Sequence, residues 1–298
     1  MSTSLQRTYR NLRIGIAATV VLILVSVAVT ATRIGLLPSI SAYYYTPARN
    51  VFVGSLVAAA IAIIALSGRG LQRTVLDAAG LFAPLVALVP TPLRPGSVPG
   101  YADGCPTGRS CVPAAAVADI DAGVATYLVV GFATLVTAVV MSAASRERTL
   151  VAELPRLALA AAVLVGVALS WTLARDAFLA GAHLVAAVTF FGLIAVVAVA
   201  NAFGIPDTEP PPPWRSAAYA IIAVAMAVDL AVIVGVVLAG ETVGGAFPPV
   251  LVGELVALLV FLAFWVLQSL EKWSDDDPSV VAAAPDASTS SGSRAAPR

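Results

Sequence analysis

Apolar residues in this chain fall into long runs, and polar residues gather in the short stretches between them. The runs with almost no charge are Ile14–Thr32, Val51–Gly68, Ala78–Leu93, Ala122–Ser145, Leu157–Ala174, Ala177–Pro206, Ser216–Gly240 and Pro249–Leu270. A helix needs about 20 mainly apolar residues to cross roughly 30 Å of hydrocarbon. The pattern therefore predicts spans near 14–32, 51–68, 75–92, 120–143, 156–174, 178–203, 216–240 and 249–270. The third is short and holds Pro84, Pro90 and Pro92, and the fifth meets the sixth across only Arg175 and Asp176. Dropping or merging one of these gives seven spans instead of eight. Period-two alternation is missing, which excludes a strand barrel. The expected fold is an all-α polytopic transmembrane bundle over residues 14–271.

Composition points the same way. Hydrophobic residues make up 59% and charged residues 11% of the 298, and mean hydropathy is +0.94. Soluble domains carry about 25% charged residues, so a water-soluble globule is the wrong class. The formal net charge is zero, and nothing global points to nucleic acid as a partner.

Basic residues set the orientation. With the N-terminus inside, 12 of the 17 Lys and Arg fall on inner segments and 5 on outer ones. Lys and Arg favour the cytoplasmic side, so both termini are expected in the cytoplasm and the protein in the cell membrane. Residues 1–13 then form a cytoplasmic N-terminus and 274–298 a disordered cytoplasmic tail. Arg7, Arg10 and Arg13 ahead of an apolar run also mimic a secretory signal, with Ala28-Val29-Thr30-Ala31 as its cleavage site. The length of the run favours an uncleaved first helix.

The longest connection, 93–121, lies on the expected outer side and holds both cysteines, Cys105 and Cys111. On an oxidising face they can pair as a disulfide; the alternative is two free thiols. Pro210–Pro213 is expected to be a stiff inner spacer. Trp171, Trp214, Trp265 and Trp273 lie in or near helix ends, where interfacial anchoring accounts for most of them.

Chemistry is confined to few groups. Ionisable residues inside spans are rare and usually face the bundle interior; here they are Asp77, His183, Asp229 and Glu254. At about 1.5 Å per residue, His183 and Glu254 both sit roughly 7 Å below the outer surface, and Asp229 roughly 16 Å. Matched depth lets the imidazole and the Glu254 carboxylate share a hydrogen bond. Tyr43, Tyr44, Tyr45 and Arg49, in the first outer connection, are expected to cap the same cavity. The expected site is thus a ligand pocket of Tyr43, Tyr44, Tyr45, Arg49, His183, Asp229 and Glu254. The competing structural reading is that His183 and Glu254 only fix helix packing. A single histidine cannot build a multi-histidine metal site, and no cofactor fingerprint is present. Ser39 or Ser41 with His183 leaves a hydrolytic triad open, with no nucleophile turn to support it.

Several segments carry a resemblance. Ser39-Ile40-Ser41-Ala42-Tyr43-Tyr44-Tyr45-Thr46 followed by Arg49-Asn50-Val51-Phe52-Val53-Gly54 resembles a signature of uncharacterised bacterial multi-pass membrane proteins. Asp77, Gly80 and Val86–Thr91 look like that group's third span. His183 with Ala186, Ala187, Phe190 and Phe191 looks like its histidine helix, and Glu254 with Phe261 and Trp265 like its last helix. The chain departs at Leu262 and Gln268, where the group has Gly and Lys. More distantly it resembles the DRAM/Sfk-like multi-pass proteins and the seven-span superfamily that contains ceramidases, whose zinc histidines it lacks. The resemblance implies an integral membrane protein and adds weight to Tyr43, Tyr44, Tyr45, Arg49, His183 and Glu254 as a set. It supplies no reaction.

The leading expectation is a non-enzymatic membrane protein with an outward-facing polar pocket for a lipid or small ligand. A proton-coupled carrier using Asp229 and Glu254 competes with it, as does a membrane-embedded hydrolase using His183.

Overall fold

The computed structural model describes residues 4–68, 70–102, 104–144, 150–204, 212–240 and 248–273. Among them are eight α-helices: α1 Ser4–Ile34, α2 Arg49–Ala65, α3 Gly70–Leu88, α4 Ala114–Ala144, α5 Leu150–Leu173, α6 Arg175–Phe203, α7 Pro213–Leu238 and α8 Pro249–Glu271. A short 3-10 helix, Ser41–Tyr45, lies between α1 and α2. The described residues form no strand beyond a single bridge between Leu93 and Cys111.

Local sequence explains the boundaries. Pro213 and Pro249 open α7 and α8, where the missing N–H costs nothing. Gly204, at φ 65°, closes α6 in the left-handed conformation, which glycine adopts freely. Pro90 and Pro92 stop α3 at Leu88, because a residue before proline is pushed out of the helical region. The third apolar run therefore turns out as a helix that starts at Gly70, contains Pro84 and ends before Pro90 and Pro92. The fourth begins at Ala114, earlier than the hydropathy pattern suggested.

Six helices, α1 and α4 to α8, are long and apolar enough to cross a membrane, and the chain is a membrane-embedded helical bundle. Two helices fall outside that set. At 17 residues α2 is short, and α3 carries Arg73 and Asp77. Both belong to the bundle and pack against each other, with the outer face of α2 exposed at Ile61 and Ile64.

The helices α1, α2, α3, α6, α7 and α8 close into a ring in that order, and α8 returns to α1. The pair α4–α5 packs outside the ring against α3 and α6. Only 11% of the apolar window of α4 is buried, against 39% for α8, so α4 presents most of its surface to the surroundings. Lipid tails give helices no hydrophobic reason to associate, so close packing and polar contacts must hold them. Gly80 and Gly253 provide the first: a Cβ at either would collide with Ile64 or Ile233 of the facing helix.

Ion pairs provide the second. Arg156 on α5 bridges Asp77 on α3 at 2.8 Å and Glu153 at 2.6 Å, while Arg73 reaches Glu153 at 3.3 Å. Two cations and two anions thus cancel, and Asp77 is spent on helix packing. Asp119 on α4 pairs with Arg49 at 2.8 Å, and Asp121 accepts from Arg175 and the Trp171 indole at 2.7 and 3.0 Å.

The middle of the ring is aromatic. Phe190, Phe191, Phe261, Phe264 and Trp265 stack edge-to-face in one continuous cluster. Trp265 is fully buried there, so interfacial anchoring does not account for this one of the four tryptophans. The other expected features, the 274–298 tail and residues 205–211 with Pro210 and Pro211, lie outside the described residues.

Candidate functional site

Three elements meet around one serine. Ser41, at the start of the 3-10 helix, places its Oγ 2.8 Å from His183 Nε2 on α6. The same hydroxyl lies 2.5 Å from Glu254 Oε1 on α8. Glu254 Oε2 accepts from the Ser41 backbone N–H at 3.0 Å. The first N–H groups of any helix lack intrahelical partners, and here a carboxylate from a distant helix supplies one. His183 Nδ1 faces the Val89 carbonyl at 2.8 Å. That carbonyl is available because Pro90 and Pro92 end α3 there.

Proton counting defines the state of this trio. A carbonyl can only accept, so Nδ1 carries a proton. The two contacts Nε2···Oγ and Oγ···Oε1 then need two protons between them. Either an imidazole, a hydroxyl and a carboxylic acid supply them, or an imidazolium, a hydroxyl and a carboxylate do. Both arrangements are neutral overall, as a site shielded from water requires. The serine hydroxyl is the sole link between the two titratable groups.

The order of groups differs from a hydrolytic relay. There the acid orients the base through Nδ1 and the serine stays free to attack. Here the acid holds the serine, a backbone carbonyl holds Nδ1, and the Ser41 N–H is occupied by Glu254.

Beside the trio lies a cavity of about 500 Å³. The 3-10 helix and the residues before it form one wall through Pro38, Ser39 and Ala42, and α6, α7 and α8 supply the others. Leu184, Val188, Phe191, Leu230 and Ile233 make its deep part apolar, whereas Arg94, Ser97 and Ser110 lie at its mouth. His183 and Glu254 line it, but their polar atoms are committed to Ser41 and Val89. The trio therefore clamps a wall of the cavity in place.

The remaining expected site residues go elsewhere. A 3-10 helix turns once every three residues, so Tyr43, Tyr44 and Tyr45 leave it in different directions, although the Tyr44 and Tyr45 rings still meet edge-to-face at 5.4 Å. Tyr43 Oη accepts from the Leu37 N–H and donates to the Gly35 carbonyl, both at 3.3 Å. Tyr45 Oη donates to the Thr91 carbonyl at 2.9 Å. Tyr44 Oη accepts from Arg49 at 2.7 Å, and the guanidinium stacks 4.4 Å above its ring. Burial pushes the Tyr44 and Tyr45 phenols above the usual tyrosine range. Tyr44 and Arg49 line a separate cleft of about 390 Å³ that also includes Asp119. Asp229 lines neither space. It sits between α7 and α8 beside Gly253, and its Oδ2 is buried with no hydrogen-bond partner among the described residues. Cys105 and Cys111 are joined in a disulfide, with Cα atoms 5.7 Å apart.

Sequence reasoning missed a second polar cluster at the opposite end of the ring. Tyr219 Oη donates to Glu271 at 2.6 Å and accepts from Gln268 at 2.6 Å, and Gln268 also reaches Asn201 at 3.3 Å. Arg215 pairs with Glu271 at 3.0 Å, and the fully buried Arg13 donates to the Lys272 carbonyl at 3.1 Å. The signal available was the spacing of Gln268 and Glu271 on one face of the last helix. The aromatic cluster separates these groups from Ser41, His183 and Glu254.

Comparison with known proteins gives no match: no family model, no curated protein and no solved structure aligns with this chain. The site's own geometry must carry the functional argument.

Proposed function

We propose that this integral membrane protein binds a lipid or small amphiphile in the cavity between α6, α7 and α8, without acting on it chemically. The supporting observation is the cavity itself: about 500 Å³, apolar at depth and polar at the mouth. That size and polarity pattern match small-ligand sites, which run roughly 300–1,000 Å³. The family likeness read from Ser39–Thr46, His183 and Glu254 belongs to the same proposal.

The proposal includes eight spans in the plasma membrane, both ends cytoplasmic, and the cavity opening outward. The basic-residue bias and the disulfide beside the mouth support that orientation. In intact cells an impermeant thiol reagent is expected to label Cys105 and Cys111 after reduction; labelling only in permeabilised cells contradicts it.

For binding, a thermal-shift panel of lipids and amphiphiles on delipidated protein is the direct test. A ligand at 100 times its dissociation constant stabilises by about 2.7 kcal/mol, so at least one class should raise the unfolding temperature by several degrees. A flat response across the panel counts against the pocket.

A second reading, a proton-coupled carrier, is favoured by Asp229, whose buried Oδ2 lacks a partner among the described residues. Proton-driven solute uptake in proteoliposomes, abolished by Asp229→Asn, would select it over simple binding.

A further inference from the structure

One rigid turn contributes to the cavity mouth. In Arg94-Pro95-Gly96-Ser97 the Ser97 N–H donates to the Arg94 carbonyl at 3.0 Å, and Gly96 has φ +73°. Proline second and glycine third are the residues such a turn demands, so its own sequence makes it rigid. It is also clamped from one side. Leu93 and Cys111 exchange backbone hydrogen bonds of 2.8 and 2.9 Å, and the disulfide to Cys105 holds that partner strand.

Two side chains of this turn line the cavity. Arg94 is exposed at the rim, and one of its Nη groups donates to the Gly240 carbonyl at 3.0 Å. A guanidinium has five N–H donors in a planar fork, so most of its capacity remains for a ligand. Ser97 Oγ is buried and has no hydrogen-bond partner among the described residues. Closed off even from water, that hydroxyl is out of reach of an occupant of the cavity, which leaves Arg94 as the group that meets a ligand head. Among the lining residues Arg94 holds the one permanent positive charge, and the one acidic side chain, Glu254, has both oxygens on Ser41.

We infer that the occupant is an amphiphile with a single apolar tail and an oxyanion head, the head seated on the Arg94 guanidinium. This rests on the pocket reading above and adds the chemistry of the head. The volume suits one tail, and a two-tailed phospholipid exceeds it. Moving a tail from lipid into an apolar pocket changes little, because lipid is as apolar as leucine. Selection must therefore come from the head, and a guanidinium fork matches the paired oxygens of a carboxylate or phosphate.

The test uses tail-matched probes on the full-length protein in nonionic detergent: hexadecanoate, hexadecyl phosphate and hexadecanol. An oxyanion probe is expected to raise the unfolding temperature while hexadecanol leaves it unchanged, and the larger of the two oxyanion shifts identifies the head. Arg94→Gln is expected to weaken oxyanion binding about tenfold or more, with the unliganded unfolding temperature preserved. Equal shifts from all three probes, or oxyanion binding unchanged in Arg94→Gln, overturn the head assignment and leave the pocket standing. No shift from any probe overturns both.

Discussion

Glu254→Leu is expected to lower the unfolding free energy in mixed micelles by about 2–5 kcal/mol, whereas Glu254→Gln should cost under about 1 kcal/mol. The contrast follows from hydrogen-bond accounting. Leucine removes the acceptor for the Ser41 N–H and the hydrogen-bond partner on one side of the Ser41 hydroxyl. Ser41 is buried, and each buried polar group left unpaired costs about 1–3 kcal/mol. Glutamine keeps a carbonyl for the Ser41 N–H and offers an amide N–H to Ser41 Oγ, and Ser41 then donates to His183. It reproduces the protonated acid of the first neutral arrangement. A trio that depended on a fixed carboxylate charge would lose as much with Gln as with Leu, and equal losses in a denaturant titration would refute the account. The same loss predicts a secondary effect: with the 3-10 helix released, Pro38, Ser39 and Ala42 no longer hold the cavity wall.

Long helices were legible because their cause is a property of whole segments. Apolar runs such as Ser216–Gly240 and Pro249–Leu270 allow few other outcomes in a bilayer. The meeting of His183 and Glu254 was legible in outline, since residues at equal depth on antiparallel helices can face each other. The mediator was not. Serine is common, and only the fold reveals that Ser41 stands at the open N–H end of a 3-10 helix. The tyrosines misled for a related reason. Three neighbours in sequence look like one patch on the cavity, yet their hydroxyls go to three different partners, and Tyr44 ends up with Arg49 and Asp119 in a different cleft. Arg94 registered in the sequence only as an outer-side charge. Its importance comes from the Pro-Gly turn that carries it and from the Leu93–Cys111 pairing, which is a contact between distant residues. The Tyr219–Gln268–Glu271 cluster was hidden because polar residues near helix ends resemble ordinary interfacial groups.

Filling the cavity should remove its occupant outright. Ala187 lines the space between His183 and Phe191 and is only partly buried, so Ala187→Trp places an indole where the tail would lie. It touches none of the hydrogen bonds of Ser41, His183 or Glu254. Overpacking costs typically about 1–3 kcal/mol, and because this side chain grows into empty space, the cost should fall at the low end. Native mass spectrometry of protein extracted from membranes in nonionic detergent reads the outcome directly. The account predicts that the wild-type protein carries one bound amphiphile per chain and that folded Ala187→Trp carries none. Equal occupancy in the two proteins, or a wild-type protein that never carries a bound amphiphile even when one is supplied in excess, would contradict it.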